Sequence, residues 1–181
     1  MQIESARPFF LEVPTPSRRL HAMPPITVVM FACNDALRVG RALETLWFAG
    51  EIVVVDRGST DRTPAIARLY GARVVAADQL EASPITSSTQ DWIFCLNPRE
   101  SVGDELEASL FEWSLLPAAE VPAGASYSVH VREELDDGWV LRREPETRLV
   151  PRHWRLAADG LPVPDPAARL LSGTLCRFSR P

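Results

Sequence analysis

Apolar residues fill positions 26–33 (ITVVMFAC) almost without interruption. That pattern fits a β-strand covered on both faces, as in a parallel sheet. Asn34 or Asp35 can cap a helix behind it. There Val39, Leu43, Leu46 and Trp47 recur at helical spacing until Gly50 stops the pattern. Residues 51–55 repeat the buried-strand signature. Thr63 followed by Pro64 reads as the N-cap and first turn of a second helix. Ile66, Ala67 and Tyr70 form its inner face, and Gly71 ends it. Residues 72–76 and 91–96 supply a third and a fourth strand. Ser101 is expected to open a helix running to about Trp113, with Leu106, Leu110 and Trp113 inward. Strands alternating with helices of this length imply right-handed crossovers and a doubly wound α/β sheet.

After Pro122 the style changes. Residues 125–132 and 139–143 look like antiparallel strands around the turn Asp136-Asp137-Gly138. Residues 147–151 and 174–179 read as further short strands. The expected fold class is therefore α/β, with a single, mainly parallel sheet and antiparallel additions in the C-terminal half. Prolines cluster at 8–25, 117–122 and 145–166. They divide the chain into an extended N-terminal arm (1–24) and one domain (25–181). Within that domain lie a larger half (25–115) and a smaller antiparallel half (123–181).

Composition narrows the function classes. A chain of 181 residues can bury a substantial core in one domain. With 19 basic against 24 acidic residues and no Lys/Arg run, it has no nucleic-acid footprint. The Arg pairs at 18–19 and 142–143 read as solvated surface. The longest apolar run, 26–33, is strand-sized and too short for a membrane span. Cys33, Cys95 and Cys176 are widely spaced and odd in number, which disfavours a zinc site or a disulfide framework. Cys33 and Cys95 sit at the ends of buried-looking strands, where a thiol acts as a small apolar side chain. The expectation is a soluble, reduced, cytoplasmic protein without a transmembrane segment. Neither a G-x-G-x-x-G nor a G-x-x-x-x-G-K-[ST] follows the first strand, which argues against the commonest dinucleotide and phosphate loops.

In an open α/β sheet, ligands bind beyond the carboxyl ends of the strands, where strand order reverses. Three loops here end strands: Cys33-Asn34-Asp35, Asp56-Arg57-Gly58-Ser59-Thr60-Asp61 and Asn97-Pro98-Arg99-Glu100. Gly58 lets backbone approach a ligand closely. Asp56 and the Ser59-Thr60-Asp61 run suit either ligand contact or the shaping of a βα turn.

The stretch ITVVMFACND, then EIVVVDRGSTDRT and GARVV, closely resembles the opening half of family 2 glycosyltransferases. These are inverting enzymes on the A-type glycosyltransferase fold. DWIFCLNPRE resembles their fourth strand. The strong likeness covers roughly residues 26–75 and 91–113. Arg148-Leu149-Val150-Pro151-Arg152 and Gly173 to Ser179 resemble the late strands of a bacterial subgroup that adds sugars to lipopolysaccharide cores, a cell-envelope polysaccharide role. The likeness implies a UDP-type nucleotide-sugar donor held by Asn34, Asp35, Asp56, Gly58, Ser59, Asp61, Asn97 and Arg99. A carboxylate such as Asp56 or Asp61 would accept the uracil N3–H. The acceptor stays unassigned.

The chain departs from this family in three places. Where the family writes Leu-Asp-x-Asp-Glu to hold Mg²⁺ or Mn²⁺, this chain has Leu96-Asn97-Pro98-Arg99-Glu100. Asn97 is a poor ligand and Arg99 repels a cation, so the metal site reads as lost. Arg99 suits either a bidentate phosphate contact or a ligand-free surface. The subgroup's His-Glu base has only His153 and Asp159 as candidates, in the wrong context, so the catalytic residue is unknown. Between Val75 and Trp92, Ser83 to Gln90 reads as loop where the family places a helix opening with a basic residue. The implied protein is glycosyltransferase-like with weakened or lost transfer. The alternative is an inactive scaffold or partner-binding module.

Overall fold

A computed structural model describes residues 26–79 and 88–180. The N-terminal arm and most of the 83–90 segment fall outside them. The four apolar runs form strands β1 (Ile26–Ala32), β2 (Glu51–Asp56), β3 (Arg73–Ala76) and β4 (Trp92–Leu96). All pair in parallel: β1 with β2, β1 with β4 and β2 with β3. Between them lie helices α1 (Val39–Glu44) and α2 (Thr63–Leu69). Then come β5 (Glu100–Val102), α3 (Asp104–Ser114), β6 (Tyr127–Leu135), β7 (Gly138–Leu141), β8 (Glu146–Pro151) and β9 (Arg169–Arg177). One sheet runs β3-β2-β1-β4-β8-β6-β9-β5, with β7 paired to β6. The C-terminal pairings are antiparallel except β6 with β9. The chain winds outward from β1 to β3, then returns to β4 on the other side of β1. Strand order therefore reverses between β1 and β4.

Both faces of the parallel strands are covered, which accounts for their continuous apolar runs. Val28, Met30, Val54, Phe94 and Leu96 pack under Val39, Ala42 and Leu43 of α1, Ala67 of α2 and Leu106 and Leu110 of α3. Phe48 meets Phe94 edge-on at 6.0 Å. The opposite face, Val29, Val53, Val55, Ile93, Cys95 and Val150, is covered by Phe31, Trp154, Leu156 and Leu161. Three of those four belong to a strap over residues 152–163 that leaves the end of β8 and doubles back. In it the Ala157 N–H donates to the Leu161 carbonyl (2.7 Å) and the Val163 N–H to the Arg155 carbonyl (2.9 Å). Trp154 Nε1 donates to the Val163 carbonyl at 3.1 Å. Gly160 has φ +89, and a Cβ there would lie 2.1 Å from the Phe31 ring. Only glycine lets the strap close over that phenyl.

Several expectations need correction. α1 ends at Glu44 rather than reaching Gly50. Trp47 therefore lies beyond the inward stripe and is 66% exposed, its ring tilted against Phe111 with centroids 5.8 Å apart. Tyr70 is exposed rather than inward; its hydroxyl donates to Glu44 Oε1 at 2.6 Å. Ser101 opens no helix: residues 100–102 pair with β9, and α3 starts after Gly103, with Asp104, Glu105 and Glu107 in its first turn. Thr63 is the first helical residue of α2 rather than its cap, and neither Asn34 nor Asp35 caps α1 through its side chain. Cys33 is exposed, unlike the buried Cys95.

Candidate functional site

The sheet brings the three loops to one rim. Asp56 lies opposite Ala32, and Leu96 opposite Met30. Asp56, Asn34 and Asn97 thus follow the carboxyl ends of three adjacent strands, at the reversal point between β1 and β4.

The first two loops are tied to each other. Asn34 sits at φ +56, a left-handed conformation that asparagine tolerates. Its side-chain oxygen accepts the Thr60 N–H (2.9 Å), and its own N–H donates to Ser59 Oγ (3.0 Å). Asp61 Oδ2 accepts the Ala36 N–H at 3.0 Å, and Oδ1 accepts the Thr63 N–H at 2.8 Å. The Asp35 N–H donates to Thr63 Oγ1 (2.8 Å), while Asp35 Oδ2 accepts the Cys33 N–H (3.0 Å). The hydrogen bond from Thr63, ahead of its other contacts, holds the Asp61 carboxyl below the usual range. Asp56 accepts from the Ser59 N–H at 3.2–3.3 Å. Gly58 turns at φ +83 with open space around its Cα. Asn34, Asp35, Ser59 and Asp61 therefore brace the two loops. Asp56 keeps acceptor capacity beyond its one N–H partner, as an ionised carboxylate has about four lone-pair sites.

Cys33 is the exposed thiol of this rim. Burial pushes the Cys95 thiol up to about 12, and burial also raises the half-buried Cys176. Because the thiolate is the reactive form, one thiol, Cys33, is expected to react quickly with a disulfide reagent in the native protein. Cys33→Ser should abolish that fast phase; two fast thiols in the wild type would contradict this assignment.

The third loop rests on a buried ion network. Glu100 is 1% exposed. Its Oε2 accepts the Asn97 N–H (2.9 Å) and Arg148 Nη1 (2.9 Å). Its Oε1 accepts Arg148 Nη2 (2.8 Å), Arg177 Nε (2.9 Å) and Arg177 Nη2 (2.7 Å). Arg148 Nη1 also donates to the Cys95 carbonyl at 3.1 Å. Both guanidiniums reach Glu146, Arg177 Nη2 at 2.9 Å to Oε2. Two carboxylates thus face two arginines, and the turn after β4 is pinned from beneath. Above it, Asn97 Oδ1 accepts the Arg99 N–H at 3.0 Å, and the Arg99 side chain is exposed. Sequence reading missed this network, since its members are spread over 78 residues and charged residues are usually at the surface.

Burial works against ionisation of Glu146, yet Arg148 and Arg177 hold its carboxyl below the usual range. A carboxyl depressed in the folded state contributes stability above its unfolded pKa, near 4.5. That contribution is lost as pH falls through the lower folded value. Thermal melts are thus expected to be flat above pH 5 as far as Glu146 is concerned, and to drop below about pH 4.5. Glu146→Gln should flatten that acid limb; an unchanged limb would refute the assignment.

The two base candidates separate. Arg152 N–H donates to the Asp91 carbonyl at the start of β4, which leaves His153 near the amino ends of the strands. Asp159 follows Ala158, whose carbonyl accepts Arg57 Nη2 at 2.9 Å, and so belongs to the carboxyl rim. Asp159 Oδ1 accepts the Leu161 N–H at 2.9 Å. Among the described residues no three His, Cys, Asp or Glu side chains converge as a ligand set. No helix among them is long and apolar enough to cross a membrane.

No family model matches the chain. Over 156 residues, 77% of its length, it is 30% identical to a TPR repeat-containing protein of Synechococcus elongatus, of which it covers 37%. It is 33% identical over 88 residues to an uncharacterized glycosyltransferase of Rickettsia bellii, covering 45% of this chain and 30% of that protein. The chain thus spans about a third of the length of the curated relatives it matches. A crystal structure described as a mycobacterial protein matches 86% of this chain and 68% of its own, with a TM-score of 0.58 and 17% identity. Together the strand order and the rickettsial matches point to a glycosyltransferase-like fold.

Proposed function

We propose that the carboxyl rim binds a nucleotide-sugar donor of UDP type, on a family 2 glycosyltransferase-like fold whose metal-dependent transfer is weakened or lost. The observation that carries this reading is the braced pair of loops at the β1/β4 reversal, which leaves Asp56 with acceptor capacity beside the open turn at Gly58. Such a carboxylate accepts an imide N–H, and nearby backbone amides serve the carbonyls. Arg99 displays a guanidinium at the same rim for the diphosphate. The residues after β4 do not fit a divalent ion. Both Glu100 oxygens are taken by arginines, Asn97 is neutral, and Arg99 is cationic. The charge of the leaving diphosphate would fall to Arg99. A role in cell-envelope polysaccharide and a cytoplasmic location are part of the same reading, in which the acceptor stays unassigned.

Calorimetric titration with UDP, in manganese and in chelator, tests it. Binding is expected in both, with similar affinity. A charge-assisted hydrogen bond contributes about 1.5–3 kcal/mol, so Asp56→Asn should weaken UDP by about ten- to a hundredfold. Absence of UDP binding favours the second reading, a scaffold or partner-binding module. That reading draws on Asn34, Ser59 and Asp61, whose side chains already serve the loops themselves.

A further inference from the structure

The strap borders an open cleft of about 480 Å³ on the face away from the helices, running from the rim at Phe31 and Arg57 toward the amino ends of the strands at His153. Its lining runs Phe31, Arg57 and the strap residues His153 to Ala158. That volume lies within the range of small-molecule sites. Its ionisable lining groups are Arg57, Arg155 and His153, and no carboxylate lines it, although the chain carries net charge -5. Asp159, the nearest acid in sequence, accepts the Leu161 N–H outside the lining. Asp91, near His153's end, pairs at 3.8 Å with Arg152.

The cationic groups differ in how far they are committed. Arg57 lies over the Phe31 ring at 4.5 Å and donates one N–H to the Ala158 carbonyl, which fixes its guanidinium in place. Its remaining N–H groups stay available, since a guanidinium carries five donors. Arg155 and His153 are exposed, and their side chains have no partner among the described residues. Phe31, Trp154 and Leu156 form half-buried apolar walls. A fixed arginine, a free arginine and an imidazole over aromatic walls suit an anionic group attached to an apolar or planar body. Neither element alone would select such a ligand. The charge attracts any anion, and the walls hold the part that a bare ion lacks.

We propose that this cleft binds a small organic anion, a phosphate or carboxylate ester-sized molecule with an apolar portion, as the acceptor-side partner of the donor rim. The word acceptor rests on the donor reading above; anion binding in the cleft does not. Phenyl phosphate is the probe, with inorganic phosphate and phenol as its two halves, each titrated calorimetrically into the full chain. Phenyl phosphate is expected to bind at least about tenfold more tightly than either half. Arg155→Ala, at an exposed side chain, is expected to weaken it by about five- to tenfold while leaving the melting temperature unchanged. His153→Ala should weaken it less, and UDP affinity should be unchanged in both variants. Equal affinity for phenyl phosphate and inorganic phosphate, or an Arg155→Ala variant that binds as the wild type does, overturns the proposal. So does absence of saturation at about 10 mM, which corresponds to less than about 3 kcal/mol of binding. Phenyl phosphate binding without UDP binding removes the donor reading and leaves the anion cleft standing. UDP binding without phenyl phosphate does the reverse.

Discussion

Arg148→Met is expected to lower stability by about 3–5 kcal/mol, the usual consequence of removing one partner from a buried ion pair. At about 2–4 °C per kcal/mol for a domain of this size, the melting temperature should fall by roughly 10 °C. Arg148 and Glu100 both have fully buried side chains, and Arg177 and Glu146 complete the cluster at partial exposure. Methionine removes one guanidinium and leaves two carboxylates facing Arg177 alone. It also strips the Cys95 carbonyl of its contact with Arg148 Nη1. Packing contributes little to the loss, because methionine fills much of the arginine stem's volume. The double variant Glu100→Gln with Arg148→Met takes away the stranded charge, so it should recover a large part of the loss. Its coupling energy should be well above the roughly 0.5 kcal/mol scatter expected of independent sites. Thermal melts of the two single variants and the double variant decide the matter. A drop of under about 2 °C for Arg148→Met would mean that the network contributes almost nothing.

The parallel half was readable because its strands are continuous apolar runs, each followed by a loop with turn residues. Val28 to Met30, Val53 to Val55 and Ile93 to Leu96 are buried, as their composition demands. At α1 the helical spacing runs on beyond the point where packing enforces it. Trp47 continues the helical spacing of Val39 and Leu43, yet α1 stops at Glu44 and the ring turns outward onto Phe111. β5 is three residues long and starts with a glutamate, so it carried no strand pattern; its pairing with β9 and the Glu100 ion pairs hold it in place. The strap over 152–163 has neither helical nor strand period, and only Ala157, Ala158, Asp159, Gly160 and Leu161 lie between the two sides of its one hairpin contact, Leu156 with Pro162. Its role as the cover of the second sheet face follows only from where β8 ends. At the rim, the three loops were found from strand ends alone. The division of labour within them was not, because whether Asn34 or Asp61 meets a ligand or a neighbouring N–H depends on contacts 25–26 residues away.

Asn97→Asp together with Arg99→Asp should make UDP binding depend on manganese, by about tenfold or more in affinity between metal and chelator. The substitutions remove one positive charge and add two negative ones at a single turn. Both side chains are exposed, so neither new carboxylate is buried. The turn itself should persist: Asn97 Oδ1 accepts the Arg99 N–H, and an aspartate oxygen can do the same. Beneath it, Glu100 stays bound to Arg148 and Arg177, so it adds no ligand, and the ion would be held by the two new acids and the diphosphate. Hard oxygen donors suit such a cation, which bridges protein and phosphate as it does in other nucleotide sites. In the absence of metal the variant should bind UDP more weakly than the wild type, because it has lost Arg99 and gained repulsion toward the diphosphate. Transfer or hydrolysis should stay slow. His153 lies near the opposite end of the sheet, Asp159 is already engaged with Leu161, and lack of a positioned base costs about a hundred- to ten-thousandfold. The measurement is UDP titration of wild type and variant, each with manganese and with chelator, after a melt that shows both are folded. A folded variant without manganese dependence would mean that the diphosphate does not lie over the Asn97–Glu100 turn, and the donor reading of this rim would have to be abandoned.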